Sequence, residues 1–124
     1  MKFDRKIAVT LLRLISALTP EANLLQDYEI PREWLLEMSP ELFSKTTAPV
    51  DVLGHLLVLS HSGLIYPPSD TKPLKEWLAL IPAEKPNDPE YNPMSELCYS
   101  VLPKLLPSYF LTVQGYEFLE KHQH

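Results

Sequence analysis

Ala48-Pro49-Val50-Asp51-Val52-Leu53-Gly54-His55-Leu56-Leu57-Val58-Leu59-Ser60-His61-Ser62-Gly63-Leu64-Ile65-Tyr66-Pro67-Pro68 holds a helix, its stop and a strand in one run. Proline suits the first turn of a helix, where its missing N–H costs nothing. From Val50 to Ser62 only a narrow face is polar: Asp51, His55 and Ser62, flanked by Gly54 and His61. Val50, Val52, Leu53, Leu56, Leu57 and Leu59 cover the rest, which predicts the central helix of the domain. Gly63 suits the left-handed residue that ends a helix. Leu64-Ile65-Tyr66 reads as a short strand, halted by Pro67-Pro68.

Working outward, Tyr109-Phe110-Leu111 is a second short aromatic and apolar run. Neither strand is long enough to stand alone, so the two are expected to pair. Upstream, Ile7, Leu11, Leu14, Ile15 and Leu18 predict an amphipathic helix over 3–18, with Asp4, Lys6, Thr10 and Arg13 off the stripe. Thr19-Pro20 ends it and opens a short turn at 20–26. Ile30-Pro31 opens a helix over 31–37, with Trp34, Leu35 and Met38 as buried candidates. Ser39-Pro40-Glu41 has the grammar of a new start, predicting a separate helix through Lys45 with Leu42 and Phe43 inward.

Between the strands, Asp70 or Thr71 can cap a helix over 73–80 carrying Leu74, Trp77, Leu78 and Ile81. Pro82, Pro86, Pro89 and Pro93 punctuate an extended connector. Asn92-Pro93 caps a helix over 93–102, which Pro103 ends or kinks, with Leu105-Leu106 adding a turn. Thr112 is a fitting N-cap for a final helix, 113–122, whose buried side is Val113, Tyr116 and Phe118 or Leu119. The order is therefore helix, helix, central helix, strand, long connection, strand, helix. That predicts a mainly α (α+β) winged-helix-like fold, one domain over 1–124, with 67–107 as an enlarged wing holding two extra helices.

Gly63-Leu64-Ile65 directly after a helix, then Leu111-Thr112-x-x-Gly115-x-x-Phe118-Leu119, resembles small winged-helix proteins of unknown function found in bacteria, phages and prophages. The opening Met1-Lys2-Phe3-Asp4 before an amphipathic helix is also similar to theirs. The likeness covers both ends and the centre, about half the chain; the proline-rich insertion departs from it. It implies a non-catalytic adaptor or inhibitor of phage or prophage type.

Composition bounds the rest. The 124 residues suit one domain, and a hydrophobic fraction of 45% is enough for one core. With 3 glycines against 13 prolines, proline makes the turns. A net charge of −5 argues against broad attraction to phosphate. The single cysteine, Cys98, can form no internal disulfide, which suits a reducing compartment and predicts a cytoplasmic protein. Asp4 and Arg13 interrupt the signal-like opening, and no run of 18 uncharged apolar residues is present, so neither export nor a membrane span is expected.

No catalytic motif stands out. His55 and His61 do not share a helical face, Cys98 lacks a cysteine partner, and Ser60, His61 and Asp51 cannot form a relay from opposite sides of one helix. Glu33 and Glu37 have the i, i+4 spacing that carboxylate metal sites use, but read better as an exposed face. No cofactor and no metal are expected.

A protein partner is expected, with self-association as one form of it. The contact candidates are Asp51, His55, Ser62, Trp77 and Tyr91; Trp34, Tyr66 and Tyr99 are further aromatic candidates. Unevenly spread acidic residues offer a surface for a basic partner. The alternative is a DNA-binding transcriptional regulator using Lys2, Arg5, Lys6, Arg13, Lys72 and Lys75, with Lys104 beside them. It is less favoured, because no Lys or Arg lies between Lys45 and Lys72, across the helix that would read bases.

Overall fold

The computed structural model describes residues 2–18, 32–43 and 46–122. The elements are α1 (Arg5–Leu18), α2 (Arg32–Leu42), α3 (Pro49–His61), β1 (Ile65–Tyr66), α4 (Thr71–Ala79), α5 (Pro93–Glu96), α6 (Leu102–Leu105), β2 (Phe110–Leu111) and α7 (Val113–His122). A π-helical turn, Leu97–Val101, joins α5 to α6, and a 3-10 turn, Leu106–Ser108, leads into β2. The described residues are mainly helical, with a two-stranded antiparallel sheet. Ile65 pairs with Leu111 and Tyr66 with Phe110. The expected ribbon is thus present, one residue shorter on each strand than the sequence suggests. The turn expected at 20–26, the start at Ile30-Pro31 and the end at Lys45 lie outside the described residues.

The centre of the molecule is α1, not α3, which corrects the sequence reading. The expected stripe is buried, but so are Ala8, Val9, Thr10, Leu12, Ser16 and Ala17. The cause is its company: α2, α3, α7, β2 and the 3-10 turn all pack on α1. Thr10 can be buried because its hydroxyl donates to the Lys6 carbonyl at 2.8 Å. In α3, Val52, Leu53, Leu56 and Leu59 are buried, while Val50 is exposed.

Pro40 departs from expectation, and of the two alternatives at Pro103, an end or a kink, the end does not occur. Pro40 does not separate two helices; α2 runs through it. Ser39 is buried, and its hydroxyl turns back to the Leu35 carbonyl at 2.9 Å instead of capping a new helix. Near the end of a helix, one missing N–H is tolerable. Pro103 likewise sits inside continuous helical structure. The preceding turn widens, so that Leu102 N–H reaches the Leu97 carbonyl five residues back. That relieves the crowding a proline ring causes one turn upstream. Segment 67–107 holds both expected helices, and it feeds the common core through Leu74, Ile81, Leu97, Cys98, Val101, Leu102, Leu105 and Leu106.

The two halves of the ribbon are locked at the junction of α3, β1 and α7. Gly63 has φ +78 and ends α3 as expected; Leu64 N–H returns to the Leu59 carbonyl at 3.0 Å. Thr112 N–H then donates to the Leu64 carbonyl at 3.1 Å, and its hydroxyl donates to the Gly63 carbonyl at 2.5 Å. That same hydroxyl oxygen accepts from Gly115 N–H at 3.1 Å, which is the expected N-cap. Gly115 is buried against the Leu64 carbonyl, and any Cβ there would overlap that oxygen. Of the residues expected on the inner side of α7, Leu119 is buried, Tyr116 and Phe118 are half-buried, and Val113 is exposed. Val113 sits in the first turn, where the chain is still leaving the ribbon.

The two glycines should therefore respond differently to alanine. At Gly63 the added methyl meets open space, so only the left-handed backbone is penalised, by about 1–2 kcal/mol. At Gly115 the methyl meets backbone, and the cost should be about 3 kcal/mol or more. Urea denaturation of Gly63→Ala and Gly115→Ala checks the order. Equal losses would show that the junction can relax.

Candidate functional site

The expected polar face of α3 is used internally. His55 is only 1% exposed, so it is not available to a partner. Its Nε2 accepts from Asp4 N–H at 2.8 Å, and its Nδ1 lies 2.6 Å from the Asp51 carbonyl. A ring nitrogen that accepts carries no proton, so Nδ1 is the donor and the ring is neutral in this arrangement. Asp51 is half-buried, and its carboxylate accepts from Ala48 N–H at 3.3 Å. Together they tie α3 to the chain entering α1. Ser62 is exposed as the C-cap of α3, away from this pair in role. His61 donates to the Ser69 carbonyl at 2.9 Å, and Ser69 also meets Tyr109 through their hydroxyls. The three candidates Asp51, His55 and Ser62 do not form one surface.

The two preferred aromatics both make internal contacts and stay partly exposed. Trp77 is half-buried against the core. Tyr91 closes the connector on itself: its hydroxyl donates to the Pro82 carbonyl at 2.6 Å, and the Lys85 ammonium stands 4.8 Å from its ring centre. Burial, then the nearby Glu96 charge, pushes the Tyr91 hydroxyl above its usual range.

The cationic candidates lie on separate elements. Lys2, Arg5 and Lys6 are exposed at the start of α1, and Arg13 is exposed in its second half. Lys72 and Lys75 line a shallow groove on α4 with Thr71, Glu76 and Ala79. Lys104 is exposed on α6.

A different surface has the character of a contact site. On α2, Trp34, Glu37, Met38 and Glu41 follow i, i+3, i+4, i+7 and share one side. Glu33 borders it, while Leu35 and Ser39 face the core. Trp34 is 52% exposed. The π-helical turn packs beside α2 and presents Tyr99, 51% exposed, whose hydroxyl donates to the Glu37 carbonyl at 3.3 Å. Glu96 stands one turn before Tyr99. Among the described residues, no cation pairs with Glu33, Glu37 or Glu41. The face is thus two exposed aromatic rings set among carboxylates. Sequence reasoning saw each of these residues but not their meeting. The only signal was the helical spacing of Trp34 with Glu37 and Glu41; nothing local tells that Tyr99, 62 residues on from Glu37, docks there.

Among the described residues no group of three or more His, Cys, Asp or Glu could hold a metal ion. None of the described helices is long and apolar enough to cross a membrane. Cys98 is buried, and burial pushes its thiol up to about 12. Comparison with protein-family models, curated proteins and solved structures finds no match to this chain.

Only the thiolate reacts with disulfide reagents. Cys98 should therefore resist Ellman's reagent at pH 8 in the native protein and react at once in urea. The same shift has a stability consequence. Below about pH 9 the thiol is neutral folded and unfolded; above it the unfolded chain loses the proton first, so stability falls as pH rises toward about 12. Native reaction at the rate of a free thiol would contradict the burial.

Proposed function

We propose that this chain is a non-catalytic binding domain that acts through protein–protein contact, using the face formed by Trp34, Glu37, Glu41 and Tyr99. The observation that carries the reading is two half-exposed rings on adjoining elements, Trp34 on α2 and Tyr99 on the π-helical turn, whose hydroxyl donates to the Glu37 carbonyl of α2. Tryptophan and tyrosine are the side chains most often found at the energetic centre of protein interfaces, because they bury large areas at small entropic cost. A ring left half in water on a rigid helix keeps that gain for a partner. The order of three helices followed by an antiparallel ribbon supports a winged-helix-like frame. On that frame the chain reads as an adaptor or inhibitor of phage or prophage type. The acidic rim favours steering of a basic partner.

The DNA-regulator reading is weaker on this geometry. The helix that would enter the major groove is α3, and its inner face is buried while His55 and Asp51 are engaged in internal bonds. The exposed cations at Lys2, Arg5 and Lys6 are on α1, and Lys72 and Lys75 on α4. A phosphate-led interface needs its cations on one surface.

Affinity capture from a lysate of the source organism separates the two readings. Wild type should retain a stoichiometric protein, and the variant Trp34→Ala/Tyr99→Ala should lose it, with affinity down at least about 30-fold for the loss of roughly 2 kcal/mol at a hot spot. The variant should keep its thermal midpoint to within a few degrees, since both rings are half-exposed. Co-purifying nucleic acid, or a salt-sensitive shift of duplex DNA by the pure protein, would overturn the proposal in favour of the regulator.

A further inference from the structure

The acidic aromatic face has a counterpart on the same molecule. Lys2, Phe3, Arg5 and Lys6 lie together where the chain enters α1, and all four are exposed. Phe3 is 48% exposed, with its inner side resting on the His55 ring at 5.5 Å. The one carboxylate among them, Asp4, accepts from Lys6 N–H at 2.9 Å and caps the helix. Arg5 makes one marginal contact, its Nη1 lying 3.5 Å from His122 Nδ1. This is a small apolar centre ringed by cations, the inverse of Trp34 and Tyr99 ringed by Glu33, Glu37, Glu41 and Glu96.

Neither patch meets its counter-charge among the described residues. Among the described residues no ion pair joins Lys2, Arg5 or Lys6 to a carboxylate of the α2 face. We infer that the occupant of the acidic aromatic face is a second copy of this chain, presenting Lys2, Phe3, Arg5 and Lys6. The inference rests on the reading of that face as a protein-binding surface, and names its partner. Phe3 packs between Trp34 and Tyr99, Arg5 lies over one of the rings, and the lysines face the glutamates. Guanidinium over an aromatic face and carboxylate beside it are each favourable, more so as water leaves. The net charge of −5 opposes association at long range, but at physiological salt the repulsion is screened beyond about 8 Å and the local pairs decide.

Sedimentation velocity of the full chain across a concentration series tests this. Wild type should self-associate with a Kd in the micromolar range, about what a contact well below the size of a stable interface gives, and association should weaken at least about tenfold between roughly 50 mM and 500 mM salt. Arg5→Glu/Lys6→Glu should be monomeric, and so should Glu37→Lys/Glu41→Lys. Carboxylates at positions 5 and 6 suit a helix start and a lysine at 41 suits a helix end, while Glu37 is exposed in mid-helix where lysine is a good helix former, so both variants should fold, as circular dichroism would verify. An equimolar mixture of the two should associate again, because each reversed patch then meets its reversed complement. A wild type monomeric at every concentration, association indifferent to salt and to both reversals, or a mixture that stays monomeric would overturn the inference. A monomeric wild type whose capture of another protein still depends on Trp34 and Tyr99 would sink the second copy and leave the binding face standing.

Discussion

Leu64 offers one carbonyl oxygen to two elements. It accepts from Thr112 N–H, extending the ribbon by one step, and it forms the floor on which Gly115 rests. Thr112 adds a second tie through its hydroxyl to Gly63 while capping α7. Three functions therefore converge on a stretch of five residues, 111–115: strand, cap and close approach. The approach is what fixes α7 against the ribbon, and α7 in turn covers one side of α1. A methyl at 115 would push α7 away and open the core along Leu119. The Leu-Thr-x-x-Gly spacing has a physical meaning on these terms: Leu111 faces the core, Thr112 ties and caps, and the glycine lets backbone touch backbone.

That junction closes a long loop. Some fifty residues separate Gly63 from Thr112, and closing them costs entropy that one hydrogen bond would not offset. The segment between contributes its own burial. Leu97, Leu102 and Leu106 are fully enclosed, and Tyr109 is fastened to Ser69 at the other end of the segment. Each fully buried leucine is worth roughly 2 kcal/mol. The connection is therefore held at both ends and along its middle. Within it Trp77, one of the contacts that the sequence favoured, packs half-buried against the core, and Tyr91, the other, bonds across the connector to Pro82.

The ribbon, the glycine stop, the Thr112 cap and most helices were legible because each depends on chemistry within four or five residues. What was not legible depended on neighbours far along the chain. Val50 looked as buried as Val52, since a nearly uniform apolar helix gives no phase to choose an inner side. His55 looked like the polar edge of α3 because Asp4, the group it serves, lies 51 residues earlier. Thr10 looked exposed because a threonine can satisfy its hydroxyl on its own helix and then be buried at little penalty. Pro40 and Pro103 looked like breaks because local rules count the lost bond and not the packing that holds the turn in place. Trp34 was a buried candidate by its spacing and a contact candidate by its type, and the residue is 52% exposed. The face it forms with Tyr99 needed α2 and the π-helical turn to be seen side by side.

The fate of His55 bears on why contact shifts to α2. A helix packed on α1 must present either apolar atoms or satisfied polar ones to it. His55 does the second, accepting from the Asp4 N–H that has no partner inside α1 and donating its Nδ1–H to the Asp51 carbonyl. The price of that arrangement is the loss of α3's polar residues as a reading edge. With α1 enclosed, α3 committed and α7 pinned to the ribbon, α2 keeps on its outer side an exposed ring, Trp34, and carboxylates that pair with no cation among the described residues. Its partner turn, Leu97–Val101, is π-helical because of Pro103, and a widened turn changes which side chains face outward. In this chain it buries Leu97, Cys98 and Val101 and leaves Tyr99 outside, against Glu37. The proline that looked like a helix stop is thus tied, through the width of one turn, to the position of a ring on the binding face.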